Sequence, residues 1–228
     1  MLPAENHGMP KAALSWSSGK DSAFALYRVL QSGKYDIVTL LTTVTTSYDR
    51  VSIHGVREEL LAMQAENTGL PVMKVEIPPK SSNADYERAM AEAVQKLNHM
   101  GVEYIIFGDI FLEDVKRYRE DRMAGTGITP VFPNWGEDTG KMARDIVNAG
   151  IGARIVCLDP KKLDRRFGGA EFDLEFLGSL PPDVDPCGER GEFHTFVYRA
   201  PFFAKSLGVK TGEIVERDGF LFTDLYIP

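Results

Sequence analysis

The feature that most constrains the fold is an alternation, running from the N-terminal side to Asp109, of short β-rich apolar runs with helical patterns. Residues 12–16 are a mostly apolar run ending in a Ser/Gly cluster, which predicts a buried strand. Ala23, Leu26, Tyr27 and Leu30 then recur at i, i+3, i+4 and i+7, and Gly33 stops the pattern, which predicts a helix. Residues 37–44 and 72–77 read as the second and third strands. Between them a helix is expected from about residue 56 to 67, closed by Gly69 and Pro71. A further helix carries Tyr86, Met90, Val94 and Leu97 on one face, and residues 102–107 form a fourth strand ending in Gly108-Asp109. Strands alternating with helices of this length imply βαβ units and a mostly parallel sheet. Such units cross over right-handed, and ligands bind beyond the carboxyl ends of the strands. That rule puts the loop after the first strand and Gly108-Asp109 on one rim.

Past Asp109 the pattern changes. Residues 115–123 are charged, and Arg117, Arg119 and Arg122 are not spaced to share one helix face. A solvated, mobile segment is the plain expectation, and a lid over substrate the alternative. Residues 126–136 read as a loop with two prolines, 139–149 as a helix and 153–158 as a strand. Residues 159–192 are rich in Gly, Pro and charge and mark a second lobe. Asp218-Gly219 between two apolar runs predicts a closing hairpin. The expected class is α/β: a mostly parallel sheet flanked by helices, then a smaller C-terminal α+β lobe ending in an antiparallel hairpin. The expected division is a disordered arm over residues 1–10, a nucleotide-binding domain over 11–114 and a substrate lobe over 115–228.

Composition narrows the function classes. A net charge of -7 gives no basic footprint for DNA or other nucleic acid. No apolar run is long enough for a membrane span. Cys157 and Cys187 are the only cysteines and form no CxxC, which argues against a disulfide scaffold or a four-ligand zinc site and suits the cytoplasm. A homodimer is the default assembly for a soluble enzyme.

Two polar segments carry the chemistry. Ser17, Ser18, Gly19, Lys20, Asp21 and Ser22 lie between the first predicted strand and its helix. A helix start offers unpaired N–H groups and a positive dipole end, and Ser and Gly let the backbone approach an anion closely. Ser17 and Ser22 add hydroxyls, and Lys20 is placed to neutralise charge. Asp21 suits a helix cap or a share in holding Mg²⁺. The plain alternative is a Ser/Gly turn with an N-cap, and the loop is no Walker sequence, because GxxxxGK[ST] is absent. The second segment runs Asp185-Pro186-Cys187-Gly188-Glu189-Arg190-Gly191-Glu192-Phe193-His194-Thr195. Glu189 and Glu192 are candidates to position ammonia or act as bases, and His194 titrates by nature near neutrality. A polar turn leading into a strand explains the same residues equally well from chemistry alone.

Residues 17–22 resemble SGGKDS, the signature of the PP-loop ATP pyrophosphatases, with Ser18 in place of the first Gly. A serine holds a positive φ only at a cost. The segment PCGERGEFHTFVY resembles the C-terminal motif of the diphthine–ammonia ligase family within that group. Gly108-Asp109-Ile110-Phe111-Leu112-Glu113-Asp114, Arg117, Arg119 and the run from Phe132 to Gly136 are similar to the same family. The resemblance implies a HUP-type sheet followed by a substrate lobe. It also implies ATP-dependent amidation: a carboxylate is adenylated with loss of pyrophosphate, then ammonia displaces AMP. The implied acceptor is diphthine on elongation factor 2. On that resemblance Ser17, Ser18, Gly19, Lys20, Asp21, Ser22, Gly108 and Asp109 hold ATP, with Mg²⁺ at Asp21. Glu189, Glu192 and His194 are the catalytic candidates, and Cys187, Gly188, Gly191 and Thr195 line the acceptor side. Two alternatives stay open: another PP-loop enzyme, such as a tRNA-thiolating one that uses a reactive cysteine at Cys187, and an ATP-binding sensor without chemistry.

Overall fold

A computed structural model describes residues 8–45, 50–51, 56–78 and 81–228. Most of the arm expected over residues 1–10 lies outside the described residues. The first sheet joins five parallel strands in the order β4 (Val72–Ile77), β2 (Asp36–Thr45), β1 (Lys11–Ser15), β5 (Tyr104–Ile106) and β6 (Thr129–Val131). A two-residue strand, β3 (Arg50–Val51), pairs antiparallel with the end of β2, beyond the last β1 partner at Leu41. The helices are α1 (Lys20–Ser32), α2 (Glu58–Thr68), α3 (Asn83–His99) and α4 (Glu113–Met123).

Strand burial explains why the expected runs are apolar rather than alternating. Ala12 and Leu14 of β1 face one core and Ala13 the other. Ile106 and Ile105 of β5 divide in the same way, so both faces of the sheet are covered. The α1 and α2 face is continuous with a second core. There β7 (Gly152–Leu158), β8 (Phe193–Arg199), β9 (Lys210–Arg217) and β10 (Phe220–Tyr226) form an antiparallel sheet in the order β8-β7-β10-β9. Helices α5 (Thr139–Asn148) and α6 (Leu174–Ser179) complete this half. Phe167, Phe172, Phe176 and Phe193 pack edge-on and tilted against one another at its centre. The expected α/β class is therefore observed, and the hairpin turns at Asp218 (φ 51) and Gly219 (φ 82), the signs a type I′ turn requires.

Two expectations for the middle of the chain need correction. The charged segment taken as solvated and mobile is helix α4, with Arg119 Nε donating to Asp109 Oδ2 at 2.6 Å and Arg122 paired with Glu87. Ion pairs and cation–π contacts, such as Arg119 over Phe107 at 4.4 Å, stand in for the missing apolar stripe. The loop read over residues 126–136 contains β6, which extends the parallel sheet from beyond residue 114; its Pro130 sits on an edge strand, where the absent N–H costs no ladder bond.

Candidate active site

The end of β1 and the start of α1 create the first loop. Trp16 N–H still donates to Leu41 O at 2.8 Å, then the chain turns through Ser17 and Ser18. Ser18 adopts φ 70 and is fully buried, and its Oγ has no hydrogen-bond partner. The backbone thus takes the conformation that a glycine would hold without strain. Gly19 is the N-cap of α1 and receives no side-chain cap, so Asp21 sits in the first turn rather than capping it. Ser17 Oγ and Ser22 Oγ are 3.1 Å apart, and Ser22 Oγ donates to Gly19 O at 3.0 Å. The two hydroxyls close the loop on itself.

Lys20 does not point to the open rim. Its side chain is buried, with Nζ donating to Asp21 Oδ2 at 3.0 Å and to the Cys187 carbonyl. The rings of Phe193 and Phe172 lie 5.3 and 5.5 Å from Nζ. Burial is the largest single influence and works against the ammonium, but the charge and hydrogen bond of Asp21, together with Cys187 and Glu189, outweigh it and hold the Lys20 pKa above its usual value. Asp21 is pushed up by burial, against Lys20, with Asp185 and Asp109 adding to the rise. Its Oδ1 is buried without a partner.

The second segment is docked onto this loop. Val197 N–H donates to Ser18 O at 2.9 Å, and Lys20 N–H donates to Thr195 Oγ1 at 3.0 Å. Asp185 organises the turn. Its Oδ1 accepts from Cys187 N–H at 2.9 Å and Glu189 N–H at 3.2 Å, and its Oδ2 accepts from the Thr139 hydroxyl at 2.7 Å. Gly188 N–H donates to Asp185 O and Gly191 N–H to Gly188 O, so both glycines are turn residues. Glu192 is buried, and its two oxygens accept from Asp185 N–H at 3.3 Å and Arg190 N–H at 2.9 Å. That carboxylate is occupied in holding the turn.

Glu189 differs. Its Oε1 accepts from Ile110 N–H at 2.9 Å, which sets the carboxyl on the Gly108-Asp109 rim. Burial pushes its pKa up to about 7, against the Ile110 hydrogen bond, and the charges of Asp21 and Asp109 add to the rise. His194 is pushed down to about 4, chiefly by burial and then by Lys20, so its imidazole is neutral at pH 7. Burial drives the Cys187 thiol well above its usual value, and its Sγ lies 3.4 Å from Thr139 O. Cys157 is buried as well, at about 12. Both thiols are buried, unlike the exposed setting of a reactive cysteine, although Lys20 lies beside Cys187.

Gly108 marks the closest approach of the rim to the loop. A Cβ there would stand 2.9 Å from Asp21 C, Asp21 O and Ser22 N, all backbone atoms. Asn134, which sequence reasoning placed only within a motif and gave no role, locks that contact. Its Nδ2 donates to Asp21 O at 3.0 Å and Gly108 O at 3.2 Å. Gln64 was missed altogether, since a lone glutamine on a helix gives no sequence signal.

Beside the loop lies a cavity of about 150 Å³ lined by Ser17, Trp16, Thr42, Thr43, Tyr86 and Phe107, among others. The buried Thr42 hydroxyl has no partner. A larger cavity, of about 430 Å³, lies between α3 and α4 and shares Tyr86, Met90, Phe107 and Arg119 with the smaller one. The smaller cavity is the one next to the loop of residues 17–22, because Ser17 lines it. Among the described residues no group of three or more His, Cys, Asp or Glu side chains is placed to hold a metal by itself. No helix among them is long and apolar enough to cross a membrane.

Comparison with known proteins gives two family matches. The diphthamide synthase N-terminal domain matches residues 9–128, and the diphthamide synthase C-terminal domain matches residues 138–224. A protein of Danio rerio named diphthine–ammonia ligase is 26% identical over 220 residues, covering 87% of this chain and 86% of that protein. One of Homo sapiens with the same name is 25% identical over 225 residues, covering 87% and 82%. One of Schizosaccharomyces pombe is 26% identical over 219 residues, but there the chain spans only 36% of the relative's length.

Proposed function

Since the chain belongs to the diphthamide synthase family, we propose that it is an ATP-dependent ligase that joins ammonia to a carboxylate, forming a C–N bond. The acceptor that the relatives' name favours is diphthine, and we take it to be carried on elongation factor 2. ATP is split to AMP and pyrophosphate by way of an acyl-adenylate.

The observation that carries this reading is the meeting of two polar loops at one sheet rim. Unpartnered buried oxygens of Ser18 and Asp21 lie on one side and a carboxyl poised near neutrality, Glu189, on the other. At the start of α1 Gly19 N–H is taken by Ser17 Oγ and Lys20 N–H by Thr195 Oγ1, and the N–H groups of Asp21 and Ser22, which follow them in the first turn, suit the phosphates of ATP. The small cavity lined by Thr42, Tyr86 and Phe107 suits the base and ribose. Mg²⁺ commonly uses one or two carboxylates together with substrate phosphates and water, and the unpartnered Asp21 Oδ1 fits that donor set. Asp21 would hold the ion, which neutralises charge on the departing pyrophosphate.

Each loop residue then has a task. Asp109, held by Arg119, orients the rim near the reacting phosphate, and Gly108 lets that rim reach the loop. Glu189 takes one proton from ammonium, so that neutral ammonia attacks the acyl carbon, the C–O bond to AMP breaks, and the second proton on nitrogen passes to water as the amide forms. His194 is neutral and serves as a hydrogen-bonding group rather than a charge. Glu192, Gly188 and Gly191 shape the loop, Thr195 ties it to Lys20 N–H, and Cys187 lends its carbonyl to Lys20.

The test is turnover with Mg²⁺, ATP, ammonium and diphthine-bearing elongation factor 2, with AMP separated from ADP. AMP and pyrophosphate appearing only when all components are present is the expected result. Tight ATP binding without AMP would replace this reading with the sensor alternative.

A further inference from the structure

Gln64, on α2, belongs to no recognised motif, yet it is fully buried and its hydrogen bonds all go to the site. Its Oε1 accepts from Trp16 Nε1–H at 3.0 Å. Its Nε2 donates to the Ser18 carbonyl at 3.1 Å and to the Val197 carbonyl at 2.6 Å. This amide orientation is forced, because an indole N–H only donates and the two carbonyls only accept. The bond to Ser18 falls where the chain is under constraint. Ser18 holds φ 70, and its own hydroxyl, buried without a partner, does nothing to keep it there. What grips the residue is its carbonyl, held by Gln64 and by Val197 N–H together. The Ser18 carbonyl and the Gly19 N–H are opposite ends of one planar peptide, so fixing the first aims the second.

We propose that Gln64 is a positioning residue for the phosphate loop. By holding the Ser18 carbonyl it fixes the orientation of the Ser18–Gly19 peptide, whose N–H donates to Ser17 Oγ at 3.3 Å, and so sets the entry into the first turn of α1. Through Val197 it links that orientation to β8, the strand that carries His194 and Thr195. Nucleotide affinity is thereby tied to the docking of the second sheet through one neutral amide. The inference rests on the reading that this loop binds the phosphates of ATP.

The experiment is calorimetric binding of Mg²⁺–ATP to the full chain in four forms: wild type, Gln64→Met, Gln64→Met with Ser18→Gly, and Leu97→Ala. Leu97 lies in the core on the opposite face of the sheet, away from the loop, and reports loss of stability alone. Gln64→Met is expected to weaken ATP binding about tenfold. Leu97→Ala should lower Tm without changing Kd. Adding Ser18→Gly to Gln64→Met should recover most of the lost affinity, because glycine holds a positive φ without needing the grip. Should Gln64→Met fail to fold, Gln64→Asn, with the same amide withdrawn by one methylene, takes its place. Unchanged affinity in the Gln64 variant overturns the proposal, and so does a loss that Ser18→Gly leaves unrepaired. Wild-type protein that binds no Mg²⁺–ATP overturns the phosphate reading itself, and this inference with it.

Discussion

The two polar loops that meet at the rim are built in opposite ways. In the segment Asp185 to Thr195 most of the polar groups are spent internally: Asp185 takes three hydrogen bonds and Glu192 two, all within the turn or from the start of α5. In the segment Ser17 to Ser22, Ser18 Oγ and Asp21 Oδ1 are buried with no partner, and the backbone at Ser18 is held against its preference. Buried polar groups are ordinarily satisfied, because leaving one unpaired costs free energy. Saturation marks architecture, and its local absence is where the proposed reading puts the ligand's charge. Glu189 is the exception in the second loop, since it reaches across to Ile110 and titrates near neutrality.

The sharpest way to break this contrast is Asp21→Asn. Removing the charge from the unsaturated loop should lower AMP formation by about 10²–10³-fold, a larger loss than the destabilisation from leaving the buried Lys20 ammonium without its Asp21 partner explains once turnover is compared at equal fraction folded. A variant that keeps full turnover would return the loop to mere architecture. Asp185→Ala attacks the saturated loop and should do the reverse first. Stripping the acceptor from two backbone N–H groups and the Thr139 hydroxyl should cost about 2–3 kcal/mol of unfolding free energy, read by urea denaturation. If stability holds while turnover falls, the two loops are not as different as their bonding makes them.

The pH dependence tests the exception. If ionised Glu189 is the base, turnover should fall about tenfold for each unit below pH 7, and Glu189→Gln should abolish that limb. Stability runs the other way. The carboxyl titrates near 4.5 when unfolded and near 7 when folded, so the folded chain holds the extra proton between those values. Its contribution is full below about 4.5 and lost as pH rises through 7. Glu189→Gln should therefore unfold at a higher temperature than wild type under alkaline conditions, as measured by thermal scans. The smallest effect is expected of Cys187→Ser. The thiol is buried and far from ionising, so turnover should stay within about threefold. Complete loss would revive thiol chemistry.

Much of the molecule was legible along the chain. The 3.6-residue spacing from Ala23 to Leu30 and the apolar runs of β1, β2 and β4 marked the βαβ order, because both faces of a parallel sheet are buried. Asp218-Gly219 marked its own turn. Helix α4 was not legible, since a helix held by Arg119–Asp109 and Arg122–Glu87 has no apolar period to read. The direction of Lys20 was not legible either. Its neighbours Phe172, Phe193 and Cys187 come from more than 150 residues further on.

By itself the sequence determined the class of fold, the position of the loop of residues 17–22 at the end of the first strand, and the two polar segments that stand out along the chain. Those follow from short-range rules of periodicity, turn geometry and residue type. Only the tertiary structure decided which acid reaches the rim and which braces its own turn. Glu189 and Glu192 are two of the same residue in one loop, and burial and hydrogen-bond partners, not identity, separate them. It also decided that Lys20 faces inward and that Gln64 grips Ser18, because those contacts join segments that lie close only once the second sheet has packed against the first.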